Sequence, residues 1–198
     1  MGTRLSRVDS FVSRLAFVAI LICAACNPGT GTGEVHGTVT ATDCSLADAE
    51  FNLDPDFFTA EAIRESLQLR VQNGSDLQIR SDGLVVTVSD AAFVRRERLE
   101  VPLSVGEGET ADVRMAFYLN ATCEKGRHGT PVLMSATTGS IVFHDVYAPE
   151  VDDRALRIAA DFEDVEFVDP YSPATRHATL SGSFEMIYNR GRPSQRFP

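Results

Sequence analysis

Tryptophan is absent from the 198-residue chain, and its longest apolar run, Leu15–Ala25, has only eleven residues. Without tryptophan, a carbohydrate-stacking platform loses its usual large ring. Eleven helical residues rise about 16 Å, whereas the hydrocarbon core of a bilayer takes roughly 20 residues to cross. A permanent transmembrane helix is therefore not expected from that run. Short catalytic signatures are missing too: the chain contains no Gly-x-Ser-x-Gly, no His-Glu-x-x-His, no Cys-x-x-Cys, no glycine-rich phosphate loop and no dinucleotide fingerprint. A hydrolase, a zinc protease, a thiol oxidoreductase and a nucleotide enzyme all lose their clearest marks, and no catalytic residue is expected.

The N-terminus carries a positive signal. Arg4, Arg7 and Arg14 stand against Asp9 alone and precede the run LAFVAILICAA, the basic and apolar regions of an export signal over residues 1–25. The run stops at Ala24-Ala25-Cys26, where two small residues let a signal peptidase reach the backbone and the next residue is an acylatable thiol. This stretch resembles the lipobox of bacterial lipoproteins, with Cys23 where that pattern usually has Leu. Cys26 is accordingly the expected lipidation site; the competing reading is an ordinary secretory signal cut after Ala25, leaving a free thiol. Residues 26–33, ending in NPGTGTG, read as the lipidated cysteine and a flexible tether.

Beyond Cys26 the chain holds 15 basic and 27 acidic residues, a net of −12. Such a surface repels phosphate backbones, so nucleic acid is not an expected partner. About 170 residues suffice for one domain, taken as 34–189. Two cysteines remain in it, Cys44 and Cys123, and in an exported domain they are expected to pair as a disulfide. Two buried thiols and a metal pair are the alternatives. No metal is expected.

The apolar period of this domain is two. Leu67, Leu69 and Val71, then Leu84, Val86 and Val88, then Val113, Met115, Phe117 and Leu119 each alternate with polar or outward positions. The pattern returns in IVFHDV and in RALRIAADFEDVEF. It returns again in ATLSGSFEMIY, where Leu180, Gly182, Phe184, Met186 and Tyr188 share a face. Asn73-Gly74, Asp82-Gly83 and Asp169-Pro170 punctuate the runs with turn chemistry. The expectation is all-β: an antiparallel β-sandwich or flattened barrel of about eight to ten strands. At most one short helix is expected, at Thr59–Glu65 behind a Thr59 cap. The tail 190–198, with Arg190, Arg192 and Arg196, reads as a mobile basic extension.

Candidate binding residues have a bland counterpart in each case. Asp54, Asp56, Glu150, Asp152, Asp153, Asp161, Glu163 and Asp164 read as acidic loops that could supply oxygen ligands to calcium. None of them has the spacing of a known calcium loop, and solvated acid residues are the plainer account. His36, His128, His144 and His177 are isolated in sequence, and His36 and His144 fall in strands. Phe57-Phe58 is an adjacent aromatic pair that either packs in the core or leaves one ring for a sugar. Asn120-Ala121-Thr122 matches a glycosylation sequon, read as coincidence because the resemblance to a lipobox implies a bacterial cell.

From VQNGSDLQIRSDGLVVTVSD through TGSIVFHDVYAPEVDDRALRIAADF to LSGSFEMIY, the chain resembles uncharacterised β-rich cell-envelope lipoproteins of Gram-negative bacteria. The resemblance implies location and fold. It transfers no catalytic or binding residue. The resulting expectation is a non-enzymatic, membrane-anchored envelope lipoprotein that contacts the membrane through its lipid and another envelope protein through its domain. Asn27, not Asp, follows the lipidated position, which by the best-studied sorting rule favours the outer membrane. A module binding a small ligand, a glycan or calcium is the alternative, and no cofactor is expected.

Overall fold

A computed structural model describes residues 31–74, 81–106, 111–123 and 132–188. The export signal, Cys26 and the basic tail lie outside the described residues, as does His128. The strands are β1 Gly31–Ala41, β2 Leu46–Leu53, β3 Phe57–Ile63, β4 Ser66–Gln72, β5 Gly83–Val88, β6 Pro102–Ser104, β7 Val113–Leu119, β8 Val132–Asp145, β9 Arg157–Val168 and β10 Arg176–Ile187. One α-helix, α1, spans Ala91–Glu97, and a 3-10 turn spans Thr42–Cys44.

All ten strands belong to one antiparallel sheet in the order β2-β1-β10-β9-β8-β7-β5-β4-β3, with β6 paired to β8. Laid flat, eight gaps of about 4.8 Å would hold the edge strands some 38 Å apart. Yet β2 and β3 are consecutive, and the four residue steps from Leu53 to Phe57 reach at most about 14 Å. The sheet must therefore curl until its edges approach, giving the flattened barrel expected from the alternation. The β1–β2 register, Val35 opposite Leu53, carries on toward Gly31 beside Phe57, and a Cβ placed on Gly31 would lie 2.6 Å from the Phe58 ring. Residues 46–63 thus form one bent run whose first half pairs with β1 and second half with β4.

Alternate residues of each strand point into the barrel and fill it. Phe117 is fully buried and meets Phe51 and Phe167 with ring centroids 5.1 and 5.9 Å away, the first edge-on. Leu67, Leu69, Val71, Leu84, Val86 and Val88 are likewise buried, as their period of two requires. Helix α1 closes one end with Ala91, Ala92 and Val94, and Arg95 ties it to Asp145 and to the Val146 carbonyl. At the other end Cys44 and Cys123 are joined by a disulfide with Cα atoms 4.9 Å apart.

Two expectations are corrected. Thr59–Ile63 is strand rather than helix, because every residue from Phe57 to Ile63 has a cross-strand partner in β4 and Phe58 anchors the run in the core. Those seven pairings outweigh the few tenths of a kcal/mol by which Ala and Glu favour helix. The helix forms instead at Ala91, where Asp90 caps it by accepting from the Phe93 N–H at 2.7 Å. Gly31, Thr32 and Gly33, expected in a flexible tether, are strand: they pair with Met186, Glu185 and Phe184. Glycine fits there because a side chain on Gly31 would strike Phe58.

Candidate functional site

A recess in the described surface lies on the outside of β1, β10, β9 and β8. Antiparallel register sets Glu34 opposite Ser183, Ser183 opposite Asp161, and Asp161 opposite Val142, so one row crosses four strands. On β10 the residues between the acidic columns are Ser181, Gly182 and Ser183, too short to fill the space that longer neighbours enclose. Gly182 belongs there by close approach: a Cβ would stand 2.2 Å from the Glu34 carbonyl oxygen. Two depressions of about 370 and 510 Å³ result, and they share Glu34, Asp161 and Ser183 as a common wall. They form one shallow trough.

Negative charge dominates the trough. Glu34, Asp161, Glu163, Asp164 and Glu185 line it, against His36, His144 and Arg157. Arg157 is occupied by Glu185 in a two-pronged pair, Nε to Oε1 at 2.8 Å and Nη2 to Oε2 at 2.9 Å. That pairing raises the Arg157 pKa and lowers that of Glu185. The remaining carboxylates leave a net negative surface.

His144 stands at one end between two carboxylates. Its Nε2 is 2.8 Å from Asp161 and its Nδ1 is 2.8 Å from Glu100. Hydrogen bonding to Asp161 and then to Glu100 raises its pKa, which favours the doubly protonated ring that donates to both. With both nitrogens committed, the ring has no free lone pair to take a proton from a nucleophile. The arrangement is a clasp that links the segment after α1 to β9. His36 lies exposed on the outer face of β1, and His177 sits in β10.

The other predicted ligands are scattered. Asp161, Glu163 and Asp164 are not in a loop but on β9, where a bulge turns Asp164 to φ 46° and its N–H bonds to Ser181 Oγ at 3.0 Å. Asp54 and Asp56 flank the buried Pro55 between β2 and β3, and Glu150, Asp152 and Asp153 lie in the β8–β9 connection. Among the described residues no group of three or more His, Cys, Asp or Glu is arranged to hold a metal ion. Of the aromatic pair, Phe58 is core and Phe57 half-buried.

A second polar cluster escaped the sequence reading. Arg70, Gln72 and Asp82 are buried on the outside of β4 and β5, beside Tyr118 of β7, whose hydroxyl bonds to Gln72 Oε1 at 2.6 Å. Burial pushes the Tyr118 pKa up and lowers that of Arg70. The Asp82 carboxylate accepts the backbone N–H groups of Asn120, Ala121 and Thr122 at 2.7, 2.8 and 3.1 Å, fixing the segment that leads to Cys123. Val85 and Tyr118, apolar residues at outward positions of their strands, were the available signal that this side is covered.

No protein-family model, curated protein or solved structure matches the chain.

Proposed function

We propose that the protein is a non-enzymatic envelope lipoprotein, held to a membrane by lipid on Cys26, whose barrel docks another envelope protein through the acidic trough. The observation that carries the docking reading is the trough itself: a broad, net-negative recess across four rigid strands, shaped for a cationic segment. The silent chemistry supports the non-enzymatic half, since His144 is locked between Asp161 and Glu100. The anchor rests on LAFVAILICAAC and on the arithmetic of acyl chains, of which one holds a protein marginally while two or three hold it durably.

A small-ligand or glycan module has less behind it. Barrel positions that would line an internal cavity are filled by Phe51, Phe117 and Phe167, and Phe162 and Phe184, which reach the trough floor, are buried at 2% exposure. Palmitate labelling with membrane fractionation tests the anchor; a Cys26→Ser protein that still labels and sediments with membranes refutes it. For docking, a photo-crosslinker at Glu163 is expected to give one discrete adduct that Asp161→Lys abolishes. An adduct unaffected by that charge reversal refutes the trough as the docking site.

A further inference from the structure

Exposed apolar side chains are unevenly spread over the barrel. Of the large hydrophobic residues that are exposed, Val151, Leu156 and Ile187 stand at the rim where β1 begins, and Ile63 and Val101 lie farther round the same end. Among the described residues, only Leu133, near the start of β8, and Tyr171, in the β9–β10 turn, lie at the opposite, disulfide end. The polarity follows from strand order: β10, β8 and β3 run toward the first end, and β9, β7 and β1 start from it.

We propose that this rim is the surface laid against the membrane, with Val151, Leu156 and Ile187 resting in the lipid headgroup layer. The proposal rests on Cys26 being the lipid anchor, and the decisive quantity is reach. Gly31 pairs with Met186, one residue from Ile187, and Leu156 bonds through its carbonyl to the Tyr188 N–H at 2.7 Å. The entry of β1 is therefore part of the same rim. Five residue steps separate Cys26 from Gly31, at most about 18 Å of chain. A twelve-residue strand such as β10, tilted as barrel strands are, gives the domain a height of roughly 30 Å. An anchor that short cannot hold the far end against lipid while the near rim stays away from it.

The chemistry of the rim sets the depth. Glu150, Asp152 and Asp153 share the β8–β9 connection with Val151, and Arg154 and the Glu185-paired Arg157 supply positive charge. Carboxylates are costly in hydrocarbon and tolerable among headgroups, so the contact is shallow. Three partly exposed aliphatic residues would not hold a free domain to a bilayer. They suffice to orient one already confined there, because the anchor supplies a high local concentration. In this pose the disulfide end points away from the membrane and the trough, on the barrel wall, faces sideways toward a neighbouring protein.

The absence of tryptophan makes the test clean. Full-length, lipidated Val151→Trp, Leu156→Trp and Tyr171→Trp proteins are reconstituted into vesicles of phosphatidylethanolamine and phosphatidylglycerol with a nitroxide-headgroup lipid, and acylation of Cys26 is read by mass spectrometry on each sample. All three sites are exposed, so folding should be retained, and far-UV circular dichroism checks it. The Val151→Trp and Leu156→Trp proteins are expected to emit at shorter wavelength and to lose at least half their emission to the nitroxide, while Tyr171→Trp keeps the spectrum of the protein in water. Acylated protein in which all three emit as in water, or in which only Tyr171→Trp is quenched, overturns the orientation and leaves the anchor standing. Protein without lipid at Cys26 overturns the anchor and the orientation with it.

Discussion

Replacing Asp82 by alanine removes the acceptor that holds the segment after β7. Its carboxylate takes three backbone N–H groups, of Asn120, Ala121 and Thr122, and the Thr122 hydroxyl, while itself only 6% exposed. Charge-assisted hydrogen bonds contribute about 1.5–3 kcal/mol each, but a plain sum overstates the loss. Ala121 and Thr122 are exposed and Asn120 half-buried, so their freed N–H groups turn to water. We expect a loss of about 3 kcal/mol for Asp82→Ala, equivalent to roughly 6–12 °C in Tm for a domain of this size. Asp82→Asn keeps one acceptor oxygen and loses the charge, and should cost about half as much. Urea unfolding followed by far-UV circular dichroism measures both, with the disulfide intact in each sample as judged by resistance to alkylation. A loss below about 0.5 kcal/mol for alanine, or equal losses for alanine and asparagine, would refute the view that a buried anion organises this segment.

Opening the Cys44–Cys123 bridge in a Cys44→Ser/Cys123→Ser protein should destabilise the domain by up to about 4.5 kcal/mol, given the sequence separation of 79 between the two cysteines. Reduction under denaturing conditions should expose two alkylatable thiols in the domain, and a mass unchanged by that treatment rules the bridge out. Phe117→Ala, at the centre of the Phe51–Phe117–Phe167 cluster, is expected to cost about 3–5 kcal/mol in urea unfolding, and a cost under 1 kcal/mol would mean the barrel interior repacks freely. His144→Gln should act only through pH. Because the folded-state pKa of His144 is raised, its contribution is fully present below the ordinary value of about 6.5 and is lost as pH rises through the higher folded-state pKa. Wild type and variant should therefore differ most near pH 5.5–6, above the usual carboxylate range, and converge in alkali. A difference that is constant with pH refutes the clasp.

Much of the fold was legible because burial in a curled sheet has the period of the side chains. Leu84, Val86 and Val88 alternate in sequence and lie inside, and Leu180 to Tyr188 share one face as their spacing predicts. What failed were places where local preference and tertiary pairing disagree. AEAIRE favours helix in isolation, and only the partner strand β4, distant from the preference itself, makes it β3. Gly31 and Gly33 look like linker until Phe58 and β10 are set against them. Arg70 and Gln72 alternate with the core residues Leu69 and Val71, yet they are 7% and 1% exposed, since the period of two says which residues share a face and not whether that face is covered.

The trough was illegible for a related reason. Glu34, Ser183, Asp161 and Val142 are dispersed over more than 140 residues of chain and become neighbours only through the register of three strand pairs. The β9 bulge matters here as well. By adding residues between the partners of Leu180 and Gly182, it shifts the outward set, so that Asp161 faces Ser183 while Asp164 turns back to bond Ser181. An unbulged β9 would change the parity along the strand and send part of this acidic column inward, into a barrel filled by Phe162 and Val165, where carboxylates without partners are expensive. The same irregularity thus preserves the apolar interior and gathers the charge outside. That couples the stability of the barrel to the charge and shape of the trough.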